Sequence, residues 1–297
     1  MQDNRIALNP IQWLASDDGW LDPSKRPESE RLLTMIRDAG FSGVMAEVPP
    51  GWSAQQYLDT TGRLGLGLAP GYFVCRSDGQ DGARDEVIAA ASAAARQQAE
   101  LGQRDLGVGF AMGKNAVRVQ RPAQGCHADD ERLAAVQSLV AEVSEAMLAE
   151  GVRPALHPHV GTWVETEDEG RHLLDALAPD QLGFLPDTGH LAWAGADVGG
   201  LMADYADRVP FVHVKDCRLT VAARGREAGW TYQQTVLAGL WAEPGRGELP
   251  LLDILGALGA DYGGWLIVEV DRPDIADPYE SAKASASWMR SHATAAV

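Results

Sequence analysis

Two short apolar runs in this 297-residue chain each end in side chains that can hold a metal ion or move a proton. The first, Gly183-Phe184-Leu185-Pro186, leads into Asp187-Thr188-Gly189-His190. The second, Val209-Pro210-Phe211-Val212, leads into His213-Val214-Lys215-Asp216. Residues 198–205 between them have the length of a helix, and strand, helix, strand in that order makes a parallel pair with both carboxyl ends on one rim. Asp187 and His213 are therefore expected side by side, although 26 positions separate them. Two more runs end alike: Val152-Arg153-Pro154-Ala155-Leu156 in His157-Pro158-His159, and Trp265-Leu266-Ile267-Val268 in Glu269-Val270-Asp271. Imidazole and carboxylate donors arriving from four strand ends suit a divalent cation such as Mn²⁺, Mg²⁺ or Co²⁺. No thiolate belongs to the set, which argues against structural zinc.

Each candidate has a duller role to weigh. Asp187 would also serve as a helix N-cap, but the Gly two residues on allows a tight turn that brings Asp187 and His190 to one opening. His213 follows apolar residues and could be a core histidine; Lys215 and Asp216 beside it point to a site. Glu269 ends an apolar strand, where an unpaired carboxylate is costly, so it needs a cation, with Arg272 as the structural alternative. His157 and His159 flank a proline and face the same side by the period of two, one as ligand and the other toward substrate. Glu47 and Trp13, at the ends of the second and first strands, are candidate pocket walls, and Trp163 and Trp193 could offer flat faces to a sugar ring. Glu165 and Glu169 read as part of the following helix, and His127, His172 and His292 as surface residues.

Positioning these strand ends requires a repeating strand-helix frame, and the chain supplies one. Strand-like runs at 5–13, 43–47, 66–74, 105–112, 152–156, 183–186, 209–212 and 265–269 alternate with helix-like stretches at 29–39, 53–64, 84–101, 129–150, a segment opened by the Thr166-x-x-Glu169 capping box, 198–205, 250–258 and 279–290. Residues 216–249 read as one long connection. Eight such units without a composition break predict a closed (β/α)₈ TIM barrel formed as a single domain over 1–297. An open doubly wound sheet is the alternative, but no Gly-x-Gly-x-x-Gly turn follows the first strand.

A net charge of −17 and a pI near 4.7 argue against a nucleic-acid ligand, which needs clustered Lys and Arg. Three cysteines without paired spacing, and the lack of an apolar span of ~20 residues, fit a reduced cytoplasmic protein that does not engage a membrane. The expected partner is a small molecule; a homo-oligomeric assembly is compatible with the sequence.

At these residues the chain resembles the xylose isomerase-like TIM barrel superfamily of sugar phosphate isomerases and epimerases, and within it the inosose (2-keto-myo-inositol) dehydratases. The resemblance is carried by Asn9-Pro10-Ile11-Gln12-Trp13 with Asp17-Asp18, His157-Pro158-His159-Val160-Gly161-Thr162, Asp187-Thr188-Gly189-His190, His213-Val214-Lys215-Asp216-Cys217-Arg218, Pro244-Gly245-Arg246-Gly247 and Gly264-Trp265-Leu266-Ile267-Val268-Glu269. It implies a metal set of Asp187, His213 and Glu269, with His157 as fourth ligand and His159 or Glu165 as its stand-ins. Manganese is the first expectation for the ion, ahead of cobalt, magnesium or zinc. The implied chemistry is dehydration of a keto-polyol through α-proton abstraction and a metal-stabilised enediolate. His159, His190 and Lys215 are the candidate proton carriers, and Arg218, Glu47 and Trp13 the candidate substrate contacts. Reprotonation of the enediolate on its other face would make the enzyme an epimerase, and delivery of the proton to the adjacent carbon an isomerase. An endonuclease IV-like nuclease and a non-catalytic sugar-binding barrel are more distant readings.

Overall fold

The computed structural model describes residues 5–77 and 82–292. Its strands are β1 (Ile6–Asn9), β2 (Gly43–Met45), β3 (Gly67–Ala69), β4 (Tyr72–Cys75), β5 (Asp105–Phe110), β6 (Arg153–Leu156), β7 (Gly183–Phe184), β8 (Phe211–Val214), β9 (Asp216–Cys217), β10 (Trp241–Ala242) and β11 (Trp265–Glu269). All pair in parallel except β9 and β10, which form a separate antiparallel ribbon. The parallel strands run β3-β2-β1-β11-β8 in one sheet and β4-β5-β6-β7 in the other. Together they give the eight positions of a TIM barrel, the third shared by β3 and β4.

The ladder is interrupted at two seams, and each has a local cause. Between β3 and β4 stands Pro70, which has no N–H to donate, so β3 stays with β2 and β4 goes over to β5. Gln98 stitches this gap: its Nε2 donates to the Ala46 carbonyl (3.0 Å) and its Oε1 accepts from the Gly71 N–H (3.2 Å). At the other seam β7 and β8 meet through a single bridge between Asp187 and His213, with the His213 N–H donating to the Pro186 carbonyl at 3.0 Å. Two expected site residues thus bridge this seam, while among the described residues no strand pairing joins β3 to β4 and the expected closed ladder stays open there.

Helices form where the sequence signals them. Ser29–Ala39 ends on Gly40 at φ 102°, Ala54–Leu64 is capped by Ser53, and the Thr166-Glu169 capping box opens Glu167–Ala176. Their apolar faces cover the outside of the strands with residues such as Ile36, Leu139, Val143, Leu173 and Leu201, each worth ~1.5–3 kcal/mol when fully buried. Inside the ring, Ala7, Met45, Ala69, Ala155, Leu185, Phe211 and Ile267 pack as a floor beneath the strand ends. Among the described residues no helix is long and apolar enough to cross a membrane.

Several expectations need correction. The first strand stops at Asn9, because Pro10 opens a 3₁₀ turn, Pro10–Leu14. A short helix, Thr188–Trp193, follows Asp187 directly. The 216–249 connection holds the β9–β10 ribbon and the helices Leu219–Ala228 and Tyr232–Leu237, whose apolar residues join Val160, Trp193 and Trp241 in a second core. Asp216 clasps this connection, accepting from the backbone N–H groups of Cys217, Gly245, Gly247 and Leu249 at 2.9–3.2 Å. A side chain at Gly247 would collide with the Asp216 carboxylate, so the Gly245-Arg246-Gly247 turn serves the clasp and not the chemistry.

A candidate metal centre at the strand ends

His157, Asp187 and His213 each present one ligand atom, and these atoms lie within 4.8 Å of one another. All three residues are buried. His157 leaves the end of β6 with its N–H on the Val108 carbonyl (2.8 Å), and His213 lies within β8. Asp187 divides its oxygens between the two roles weighed for it. Oδ1 caps the following helix by accepting from Gly189 and His190 N–H (2.9 and 2.8 Å), while Oδ2 has no hydrogen-bond donor. Nδ1 of His157 and both ring nitrogens of His213 are likewise buried without hydrogen bonds. Such groups are expensive to bury unless something completes them. Glu269 joins from β11, with Oε2 3.2 Å from His213 Nδ1 and accepting from Asn9 Nδ2 at 2.6 Å.

Lys215 is the cation already present. Its ammonium lies 2.8 Å from Glu269 Oε1, 3.3 Å from Asp187 Oδ2 and 3.1 Å from Asp271 Oδ2, and is fully buried. Burial works to lower its pKa, but the three carboxylates outweigh that and hold it well above the usual range. For Glu269, burial pushes upward, and Lys215 and His213 overcome it to hold the carboxyl well below its ordinary value. Asp187 is raised by burial despite Lys215. Asp271 is raised by burial, with Glu269 and Asp187 adding to the effect and Lys215 opposing it. With all three carboxylates ionised against one ammonium the cluster carries a charge of −2, which one divalent ion would neutralise. Oxygen and imidazole donors without thiolate, orphaned ligand atoms and this charge deficit all fit such an ion at His157, Asp187, His213 and Glu269.

Two more histidines stand over the same space. Burial, then the nearby Lys215 charge, brings His159 down to about 3, so the ring is neutral. Its Nδ1 sits 2.8 Å from the Val160 carbonyl, which accepts only from a protonated nitrogen, leaving Nε2 with a free lone pair. His190 is held neutral chiefly by burial, and its Nε2 accepts from the Lys215 ammonium at 3.0 Å. The two rings lie 3.6 Å apart, and His190 packs edge-on against Trp241 (4.9 Å). His157, His159, His213, Glu269 and Asp271 all line one cavity of about 440 Å³, whose other walls include Met45, Tyr72, Val74, Phe110 and Met112.

The structure thus brings together His157, His159, Asp187, His190, His213, Lys215 and Glu269. Other expected site residues lie elsewhere. Trp13 is buried in the main core and does not line the cavity, because the 3₁₀ turn points it inward. Arg218 donates to the Gly239 and Trp241 carbonyls (2.9 and 3.3 Å) and pairs with Asp274, bracing the β9–β10 ribbon away from the cavity. Glu47 lines the cavity mouth, where it is paired with Arg26. Glu165 is no stand-in ligand: its carboxylate accepts from the N–H groups of Ala123, Gln124, Gly125 and Gly161. Trp163 is flanked by the guanidinium groups of Arg118 and Arg132, and Trp193 packs on Tyr232 and Trp241. His127, His172 and His292 are exposed as expected. Asp271 and Asn9 are the members that sequence reasoning missed, although Asp271 follows Glu269 at the strand period of two.

The sequence matches the family described as xylose isomerase-like TIM barrel over residues 33–292. The rhizopine catabolism protein MocC of Rhizobium meliloti is 32% identical over 290 residues, covering 94% of this chain and 85% of its own length. The inosose dehydratase of Geobacillus thermodenitrificans strain NG80-2 is 34% identical over 142 residues, 47% of this chain and 48% of that protein, so this likeness spans about half of each. Among solved structures, that of the IOLI protein with a binding zinc atom superposes with a TM-score of 0.68 at 13% identity, over 96% of this chain and 98% of that one. Sequence match, parallel eight-position ring and rim of donors agree, and the chain belongs to the xylose isomerase-like TIM barrel family.

Proposed function

We propose that this chain is a divalent-metal-dependent hydro-lyase that dehydrates an unphosphorylated keto-polyol of the inosose type. The observation that carries this reading is the sharing of one cavity by metal-type donors (His157, His213, Glu269) and by proton carriers (His159, Asp271). Inosose dehydratases among the relatives support the substrate class. Among the described residues the cavity is lined by a single Arg or Lys side chain, Arg26, which is paired with Glu47, and this favours a substrate without a phosphate group.

When bound, the ion polarises the substrate carbonyl and offsets the negative charge that develops on its oxygen. His159 Nε2, neutral and unprotonated, takes the α-proton. The electron pair left behind forms the carbon-carbon double bond, and the β-hydroxyl departs as water with a proton from Asp271 or Lys215. Proton transfers of this type contribute ~10²–10⁴ in rate. His190 keeps the ammonium pointed into the site through its 3.0 Å contact. Manganese is the first choice of ion, with zinc supported by the zinc-bound IOLI structure and cobalt or magnesium also suited to the donors. A second reading, an epimerase or isomerase, is favoured by one observation: Asp271 lines the cavity together with His159, a second group there that could return a proton to carbon. Three free cysteines support a reducing, cytoplasmic setting.

The test is direct. Purified protein given Mn²⁺ and inosose is expected to produce an enone absorbance, to lose it after EDTA treatment, and to regain it on adding the metal back. Turnover of inosose to another keto-inositol without the enone would favour the epimerase or isomerase. Full activity in metal-stripped protein would remove the ion from the mechanism.

A further inference from the structure

Among the cavity-lining side chains, Tyr72 is placed with unusual care. It begins β4 immediately after the Pro70-Gly71 jog, and its backbone pairs with Gly107 of β5. Its ring lies along β5 toward the strand's carboxyl end. A Cβ on Gly107 would come within 2.8 Å of the ring, and one on Gly109 would overlap the hydroxyl oxygen. Gly107 and Gly109 sit two positions apart on the same face, so they form a trough the width of one phenol. The hydroxyl over Gly109 is level with His157, whose N–H bonds to the Val108 carbonyl next door. The ring meets His157 edge-on at 5.2 Å and lies 6.2 Å from His213.

Packing alone explains the ring and not the oxygen. Met45, Val74, Leu106 and Phe110 line the same part of the cavity, and a phenylalanine would suit them equally. The Tyr72 hydroxyl makes no hydrogen bond to any described residue, whereas tyrosines in such positions ordinarily find a partner. An O–H left without a partner beside the metal centre has one natural complement, an acceptor brought by the ligand. We infer that Tyr72 is a substrate-binding residue whose hydroxyl donates a hydrogen bond to a ring hydroxyl of the polyol, in a trough kept open by Gly107 and Gly109. The inference rests on the keto-polyol reading of the site and adds to it the residue that recognises one hydroxyl position.

The experiment compares the wild type with Tyr72→Phe on a keto-inositol and its monodeoxy analogues, measuring kcat and KM for each. Tyr72→Phe is expected to lose about tenfold in kcat/KM on the parent compound, carried mainly by KM. On one deoxy analogue the wild type is expected to fall by a similar factor, and the variant to fall no further. Metal content and melting temperature stay as in the wild type. Gly109→Ala, which displaces the ring without removing the phenol, is expected to lose the same discrimination. Equal kinetics of Tyr72→Phe and wild type on every compound would overturn the inference and leave the site's function standing. A uniform loss across all analogues would assign Tyr72 a packing role and overturn it as well. A wild type inactive on every keto-inositol would overturn the reading of the site and this inference together.

Discussion

Glu269→Gln is expected to abolish turnover and most metal binding while leaving the barrel folded. Glutamine keeps the shape but has one carbonyl oxygen where the carboxylate has two, so it can accept from Asn9 or from Lys215, which now contact separate oxygens at 2.6 and 2.8 Å, and not from both. What it removes is one of three negative charges around a buried point that the other ligands leave incomplete. A ligand to the ion should cost more affinity than the ~10–100-fold lost on changing groups that merely orient ligands. In kcat the expected loss is at least ~10²–10³, the scale for deleting a group that stabilises developing charge. His213→Ala should do the same, since both its nitrogens are buried without hydrogen bonds and the imidazole has no other evident task. Metal content by mass spectrometry, circular dichroism and initial rates check this together. Wild-type turnover in either variant would show that the centre lies elsewhere.

Lys215→Met is expected to have the largest effect on stability, and an unequal one with and without metal. The ammonium touches Glu269, Asp187 and Asp271, and its loss leaves two buried carboxylates and one partly exposed one facing one another. Removing one side of a buried charge pair costs ~3–5 kcal/mol. A bound divalent ion restores part of that balance, so adding Mn²⁺ should raise the melting temperature of Lys215→Met by more than it raises the wild type's. Activity is expected to fall by ~10²–10⁴, the contribution of a proton carrier, even with saturating metal. Denaturation curves in EDTA and in Mn²⁺ measure the difference. Equal metal-induced stabilisation in the two proteins would mean that lysine and metal do not share these carboxylates.

The convergence of Asp187 and His213 was legible in the sequence because connectivity constrains it: a strand, a helix and a parallel strand must deliver both to one rim, whatever the details between. The helix caps at Ser53, Thr166 and Gly40 were legible for a similar reason, since each is decided within one turn of chain. Roles set by distant neighbours were not. Arg218 follows β9 and Trp13 lies in the turn after β1, within reach of the rim by sequence, but whether such a side chain meets the cavity or the core depends on elements far along the chain. Glu165, a stand-in ligand by resemblance and otherwise a residue of the next helix, is instead held by four backbone N–H groups, three of them about 40 positions away. The helices within 216–249 were missed because six- and ten-residue pieces carry too few turns to show periodicity. Asp271 was visible as the second residue after Glu269, but only the proximity of Lys215 shows that both carboxylates belong to one cluster.

Convergence of four strand-end donors on one ion is the claim on which the mechanism depends. Crystals grown with Mn²⁺ and measured at the manganese absorption edge test it most directly. One strong anomalous peak is expected, about 2.0–2.3 Å from ligand atoms of His157, Asp187, His213 and Glu269. A protein that binds manganese with its peak away from Asp187 and Glu269, or that shows no peak at saturating metal, would contradict it.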